Sequence, residues 1–293
     1  MPRIRATGEG PLLKLLTEEL SDWKKATLKL YVERGAVRVN GVVVQRAGHL
    51  VRAGDEVELG EHRPSALQGR QVGQRAGLRI LFVDDHIIVV EKPVGLLSTS
   101  EPPDEHKPSV LSLLERELGR SGEGGHPHAV HRLDRETSGV LLVARSRLAR
   151  DQLVASWSQT EKTYVAVVEG SPSSPSGTIE LPLLEDLRSL DVRVAEGDPR
   201  AKETRSHYRV LDRGPRRSLV EVKLDTGHKH QIRVHLCSLG CPIVGDPRYH
   251  PRPTRGERLA LHAASLAFPQ PLRTEVLRFE SEVPKVFHSL LRA

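Results

Sequence analysis

The sequence is poor in cysteine and in aromatic side chains. Two cysteines in 293 residues cannot build a disulfide framework, so a reducing compartment, the cytoplasm, is expected. Four Phe, four Tyr and two Trp, 3% of the chain, are too few for a surface made mainly of stacking platforms. Long apolar runs are missing as well. Ile87–Val90 and Val140–Ala144 fall far short of the about 20 residues a bilayer-spanning helix needs, which excludes a membrane protein of that kind. The opening Met1-Pro2-Arg3-Ile4-Arg5 leads into a Leu-rich stretch broken by Lys14 and acidic residues, so no cleavable secretory signal is expected. There is no internal repeat of fixed period.

Basic charge is present, and it is unevenly placed. The chain carries 44 Lys and Arg against 38 Asp and Glu, a formal net charge of +6. Seven of those cations and one acid, Glu33, lie between Lys24 and Arg52, so this stretch alone carries the whole excess. A concentrated basic segment is the electrostatic footprint of a nucleic-acid-binding module.

The same segment reads as two helices and a hairpin. Pro11 suits a first helical position, and Leu12, Leu15, Leu16 and Leu20 follow at helical spacing. A second helix is expected from Trp23 to Arg34, ended by Gly35. Val37 and Val39 alternate with Arg38 before the turn dipeptide Asn40-Gly41, and Val42–Val44 returns. Gly54-Asp55 marks a further turn before Val57 and Leu59. The run 28–41 together with Ala53-Gly54-Asp55-Glu56-Val57 resembles the alpha-L RNA-binding motif, a small domain shared by a small-subunit ribosomal protein and several RNA-modifying enzymes. A Ser-Arg pair opens the second helix in that family, whereas here Ser21 and Asp22 precede Trp23-Lys24-Lys25. The resemblance implies phosphate contacts from Lys24, Lys25, Lys29, Arg34 and Arg38.

Residues 11–60 are therefore expected to form this module, 61–77 a linker rich in Gly, Gln and Arg, and 78–293 a second domain. In the latter, short strands at 79–83, 87–90, 140–144, 164–168 and 219–224 alternate with helices at 108–118, 146–157 and 229–239. That mixed order indicates an α+β fold.

Two polar clusters stand out. His131-Arg132-Leu133-Asp134-Arg135-Glu136-Thr137-Ser138-Gly139 crowds cations, acids and hydroxyls immediately before the apolar strand 140–144. Reactive groups are commonly presented on such loops by a rigid scaffold. The second, Thr226 to His235, contains Lys229, His230 and Arg233 at the expected start of a helix, where backbone amides favour an anion.

Taken with three further blocks in order, the chain resembles the RluA-type pseudouridine synthases. The stretch 131–139 is similar to their catalytic loop, His-Arg-Leu-Asp with a variable pair and Thr-Ser-Gly. Phe82–Leu96 with its Glu91-Lys92-Pro93, Glu161-Lys162-Thr163-Tyr164, and His230–His235 continuing to Gly245-Asp246 are similar to the opening, tyrosine and closing blocks. Departures are few: Glu91 replaces a common Asn, Ser98-Thr99 an apolar-His ending, and Asp198 stands where a Lys is usual. The resemblance implies a mixed, largely antiparallel catalytic sheet and an isomerisation without cofactor or metal. The uracil–ribose bond is cleaved within RNA, and the base is turned and rejoined through carbon five. Asp134 would act at the sugar, either attacking the anomeric carbon or removing the C2′ proton, and both remain open. Arg233 would be its cationic partner, and Tyr164 would lie against the base. Arg132 would fill the space of the extruded base, and Lys92, Lys229 and His230 would contact phosphates.

Competing chemistries fit less well. His228, His230, His235, Cys237, Cys241, His250 and His262 lie close in sequence, but no second Cys pair completes a zinc site. Ser138, His131 and Asp134 share one loop without a Gly-x-Ser-x-Gly elbow, which speaks against a serine hydrolase. An RNA-binding assembly factor without essential catalysis is the alternative of another class. The expected partner is RNA, ribosomal RNA of the large subunit first and transfer RNA second, with no membrane and no obligate protein partner.

Overall fold

Apolar side chains at helical and two-residue spacing sort the chain into two units, Met1–Gln68 and Gly69–Ala293. The computed structural model describes residues 3–20, 25–33, 37–59, 74–75, 77–100, 106–121, 126–186, 189, 191–252, 257–271 and 275–293. Trp23, Lys24, Arg34, Gly35 and most of the expected linker lie outside the described residues.

The smaller unit contains β1 (Arg3–Arg5), β2 (Gly10–Pro11), α1 (Leu12–Glu19), α2 (Lys25–Glu33), β3 (Val37–Val39), β4 (Val42–Val44), β5 (Leu50–Val51) and β6 (Glu56–Leu59). Leu12, Leu15 and Leu16 bury one face of α1 against Leu28 and Val32 of α2 and the inward valines of the sheet. That sheet runs β1-β6-β3-β4. The β3–β4 turn places Asn40 at φ 52° and Gly41 at φ 79°, the paired left-handed geometry of a tight hairpin. The Asn40 side chain also ties to Asp55 and accepts from the Glu56 amide, joining the two turns expected from sequence. The unit begins before the expected residue 11, with β1, a three-residue strand that has an arginine at each end and no apolar alternation to reveal it.

In the larger unit the elements are β7 (Gln74–Arg75), β8 (Leu78–Val83), β9 (Ile87–Lys92), α3 (Val110–Ser121), β10 (His128–Ala129), β11 (Ser138–Ala144) and α4 (Arg147–Ala155). There follow β12 (Glu161–Glu169), β13 (Ser176–Glu180), β14 (Leu183–Glu185), β15 (Val192–Val194), β16 (Arg205–Arg213), β17 (Arg217–Leu224), α5 (Gln231–Ser238), β18 (Leu261–Pro269), β19 (Val276–Glu280) and α6 (Lys285–Arg292). Eleven strands make one sheet of order β13-β16-β17-β12-β18-β11-β9-β8-β7, with β10 beside β11 and β19 beside β18. Among these pairs only β11 with β18 is parallel, so the α+β fold with a largely antiparallel sheet holds.

Every residue of β11 is buried, as its unbroken apolar run requires of a central strand. Gly139 (φ 118°) lets β11 leave the loop before it and lie against β18, because a β-carbon there would stand 2.2 Å from the Ala263 carbonyl oxygen. Expected helix limits shift, the helix expected over 108–118 running from Val110 to Ser121. The helix expected over 229–239 starts at Gln231, because His230 adopts a left-handed backbone; Gly240 (φ 72°) ends it. The helix expected over 146–157 closes at Ala155, with a short 3-10 turn at Trp157–Gln159. No helix among the described residues is long and apolar enough to cross a membrane.

Candidate active site

The strands β17, β12, β18 and β11 are neighbours, and each delivers one segment to the same cleft. Asp134 sits in the loop that enters β11, Tyr164 on β12 opposite Ala263 and Val222, and Arg233 on α5 just after β17. These residues line a cleft of about 910 Å³.

The Asp134 loop is held by its backbone. The Thr137 amide donates to the Asp134 carbonyl at 3.1 Å, closing a turn. Ser98 Oγ donates to the Leu133 carbonyl at 2.8 Å and accepts from the Leu133 amide at 3.0 Å. Arg135 is tied through its carbonyl to the Gly95 amide at 2.8 Å. Lys92 completes the clasp, its Nζ donating to the carbonyls of Leu96 (2.8 Å), Pro93 (3.1 Å) and Arg135 (3.2 Å). Lys92 is wholly buried, which corrects its expected place as a phosphate contact. Burial also pulls its ammonium down to about 8. His131 Nε2 accepts from the Leu142 amide at 3.0 Å, and its ring packs on Trp157 at 4.8 Å. Burial lowers that imidazole to about 3, with the Lys162 charge adding to the effect, so it stays neutral.

Arg233 is 5% exposed and fully committed. Its Nε and Nη2 donate to Asp246 Oδ2 and Oδ1 at 2.8 and 2.7 Å, while Nη1 faces Asp134 Oδ2 at 3.4 Å. Asp246 is 1% exposed and also accepts the amides of Arg248 and Tyr249 at 2.9 and 3.0 Å. Burial alone would raise its carboxyl; the Arg233 guanidinium and the two amides outweigh this and lower it. Sequence reasoning gives Asp246 a place in the closing block but no role. Its Gly-Asp dipeptide carries no local sign of a buried pair, since the partner lies on another element.

Tyr164 is partly buried between two hydrophobic clusters. Burial raises its phenol, and the Asp134 charge raises it further. His230 also reaches Asp134, with Nε2 3.7 Å from Oδ2 and the side chain 10% exposed. That place, against a carboxylate, differs from the phosphate contact expected of it. Lys229 pairs with Glu185 at 2.6 Å beside the cleft, and Arg132 stands exposed on its rim. In the smaller unit Lys25, Lys29 and Arg38 are exposed; Lys29 lies 3.6 Å from Glu33, and Arg38 donates to the Gly41 carbonyl at 3.0 Å.

Comparison with known proteins follows the same outline. The profile of a family described as RNA pseudouridylate synthase matches residues 86–238, a span that contains Asp134, Tyr164 and Arg233. An RNA pseudouridine synthase of Bacillus subtilis is 34% identical, the match covering 95% of this chain and 92% of the relative. The ribosomal large subunit pseudouridine synthase D of Zymomonas mobilis is 30% identical over 94% of this chain and 95% of its own. Among solved structures, the human RNA Pseudouridylate Synthase Domain Containing 4 superposes with a TM-score of 0.60 at 27% identity, over 72% of this chain and 91% of that one.

Proposed function

Because this chain belongs to the RNA pseudouridylate synthase family and is an RNA pseudouridine synthase, we propose that Asp134 is the carboxylate that acts at the sugar of the target uridine. One observation carries this: Asp134 is the acid in the cleft whose oxygen faces a buried guanidinium and a buried imidazole together, with Tyr164 lining the same space. A carboxylate placed there, with the Arg233 guanidinium facing it, serves equally as nucleophile at the anomeric carbon or as base at C2′.

The other roles follow from position. Tyr164 lies against the base, since its ring borders the cleft while its raised phenol remains protonated and neutral. Arg132, on the rim, takes the place of the extruded base; extrusion costs a few kcal/mol of unstacking, which contacts on both flanks must offset. The smaller unit adds affinity that is tolerant of sequence and sensitive to salt, through Lys25, Lys29 and Arg38 and their neighbours Lys24 and Arg34.

Large-subunit ribosomal RNA is the substrate we assign, and the cytoplasm the place of action. The support is that several relatives similar along nearly their whole length are named for that RNA. A pseudouridine map of total RNA from cells with and without the gene tests the assignment. Loss of one or a few sites in large-subunit RNA is expected. Loss confined to transfer RNA overturns the choice of substrate.

A further inference from the structure

His230 combines three features. Its backbone is left-handed (φ 54°, ψ 12°), its ring is nine-tenths buried, and both ring nitrogens have a polar neighbour. Left-handed backbone is uncommon outside Gly, with His among the residues that adopt it more readily, and it persists where surrounding structure holds it. Here it turns the ring back over the cleft, between Tyr249 and Asp134.

The protonation of that ring follows from its partners. Tyr249 Oη accepts the Val192 amide proton at 3.0 Å. His230 Nδ1 lies 2.8 Å from the same oxygen, where it can take the hydroxyl proton. A neutral imidazole that accepts at Nδ1 carries its proton on Nε2. Nε2 is the atom that faces Asp134 Oδ2 at 3.7 Å. Burial drives the ring down to about 4 despite the opposing pull of Asp134, so the neutral form is the one present at pH 7. The tyrosine is itself fixed. Its ring lies under the Arg233 guanidinium at 5.0 Å, and its amide is held by Asp246. Val192 belongs to β15, and the β14–β15 hairpin is tied to the same region by Asp191 with Arg248 and by Glu185 with Lys229, each at 2.6 Å.

We infer that His230 is a positioning residue for Asp134: the Tyr249 hydroxyl selects its Nε2–H form, and that N–H holds the carboxylate in the orientation in which it meets the sugar. The inference rests on Asp134 being the catalytic carboxylate. Arg233 Nη1 faces the acid from one side, and His230 fixes its direction from the other. The separation of 3.7 Å closes to a hydrogen bond when substrate fills the cleft, as hydrogen bonds in unliganded active sites commonly do.

The test uses the full-length protein and a transcript carrying the mapped uridine, with tritium at carbon five. Glutamine places an amide N–H near the position of Nε2, whereas asparagine reaches only the position of Nδ1 and tolerates the left-handed backbone. His230→Asn is expected to lower the single-turnover rate about 10- to 100-fold, the usual weight of a hydrogen bond to a charged group, with RNA affinity unchanged. His230→Gln should recover most of that loss. Tyr249→Phe should lower the rate while 15N shifts of His230 change from the Nε2–H form to a mixture. Equal rates for His230→Asn and wild type overturn the inference. So do equal losses in the Asn and Gln variants, or weaker RNA binding at an unchanged rate. Should the variants fail to fold, the wild-type 15N spectrum decides, because an Nδ1–H form at pH 7 overturns the inference. Asp134→Asn runs beside them: if that variant keeps its activity, the underlying assignment of Asp134 fails instead.

Discussion

Removing Asp246 should damage the protein more than removing its partner Arg233, and the asymmetry can be worked from the site. Arg233 and Asp246 are 5% and 1% exposed, so each depends on the other for its charge. In Asp246→Ala, Arg233 loses both short bonds and keeps only Asp134 at 3.4 Å, while the amides of Arg248 and Tyr249 lose their acceptor. Leaving a buried charge unpaired in this way costs about 3–5 kcal/mol. For a unit of this size each kcal/mol moves the melting temperature by about 2–4 °C, giving a fall of about 6–20 °C. In Arg233→Met the carboxylate retains its two amides, and the loss is about 1–3 kcal/mol. Scanning calorimetry of the full chain reads the difference, and both variants should turn over RNA poorly, since one lacks Arg233 and the other lacks the two Asp246 bonds that aim Nη1 at Asp134. The pH dependence has a definite sign. The folded carboxyl is lowered, so its contribution is complete above the unfolded value near 3.8 and is lost only as pH falls through the lower folded value. If Arg233→Met destabilises as much as Asp246→Ala, the two amides do not sustain the Asp246 carboxylate and the expected asymmetry is refuted.

Acid should weaken the larger unit well before that carboxyl titrates. Burial lowers His131 to about 3 and His230, His235 and His262 to about 4 from the usual 6.5, so the unfolded chain binds more protons below pH 6.5. Stability is therefore full above 6.5 and declines towards 4, by up to about 1.4 kcal/mol per pH unit for each histidine; a melting temperature that stays level from pH 7 to 5 would count against this. Neutralising Lys24, Lys25, Lys29, Arg34 and Arg38 together should weaken RNA binding and lower its logarithmic salt slope by about one for each phosphate left without its cation, whereas an unchanged slope removes them from the interface.

The legible parts of this fold are those with local causes. The hairpin at Asn40-Gly41, the buried run of β11 and the end of α5 at Gly240 each follow from a turn residue or an apolar pattern, and each stands where the sequence places it. Two long strands escape such a reading. Arg205–Arg213 alternates buried Ser206 and Tyr208 with charged residues, so its apolar content is too low to register. Leu261–Pro269 is rich in alanine, a weak strand former, and is a strand because it fills the space between β11 and β12. The site divides in the same way. Asp134, Tyr164 and Arg233 are found together in one cleft, but Asp246, Tyr249 and Ser98 act through residues distant in sequence, and no local pattern marks them. Lys92 reads as a surface cation because charge is legible and depth is not.

The most direct measurement is single-turnover release of tritium from carbon five of uridine in a large-subunit ribosomal RNA transcript, comparing wild type with Asp134→Asn. Asparagine keeps the size of the side chain and removes the charge that faces Arg233. Turnover by wild type, with no detectable release by the variant at unchanged melting temperature and RNA affinity, is the expected result. Release by Asp134→Asn at a rate near that of wild type would remove Asp134 from the chemistry.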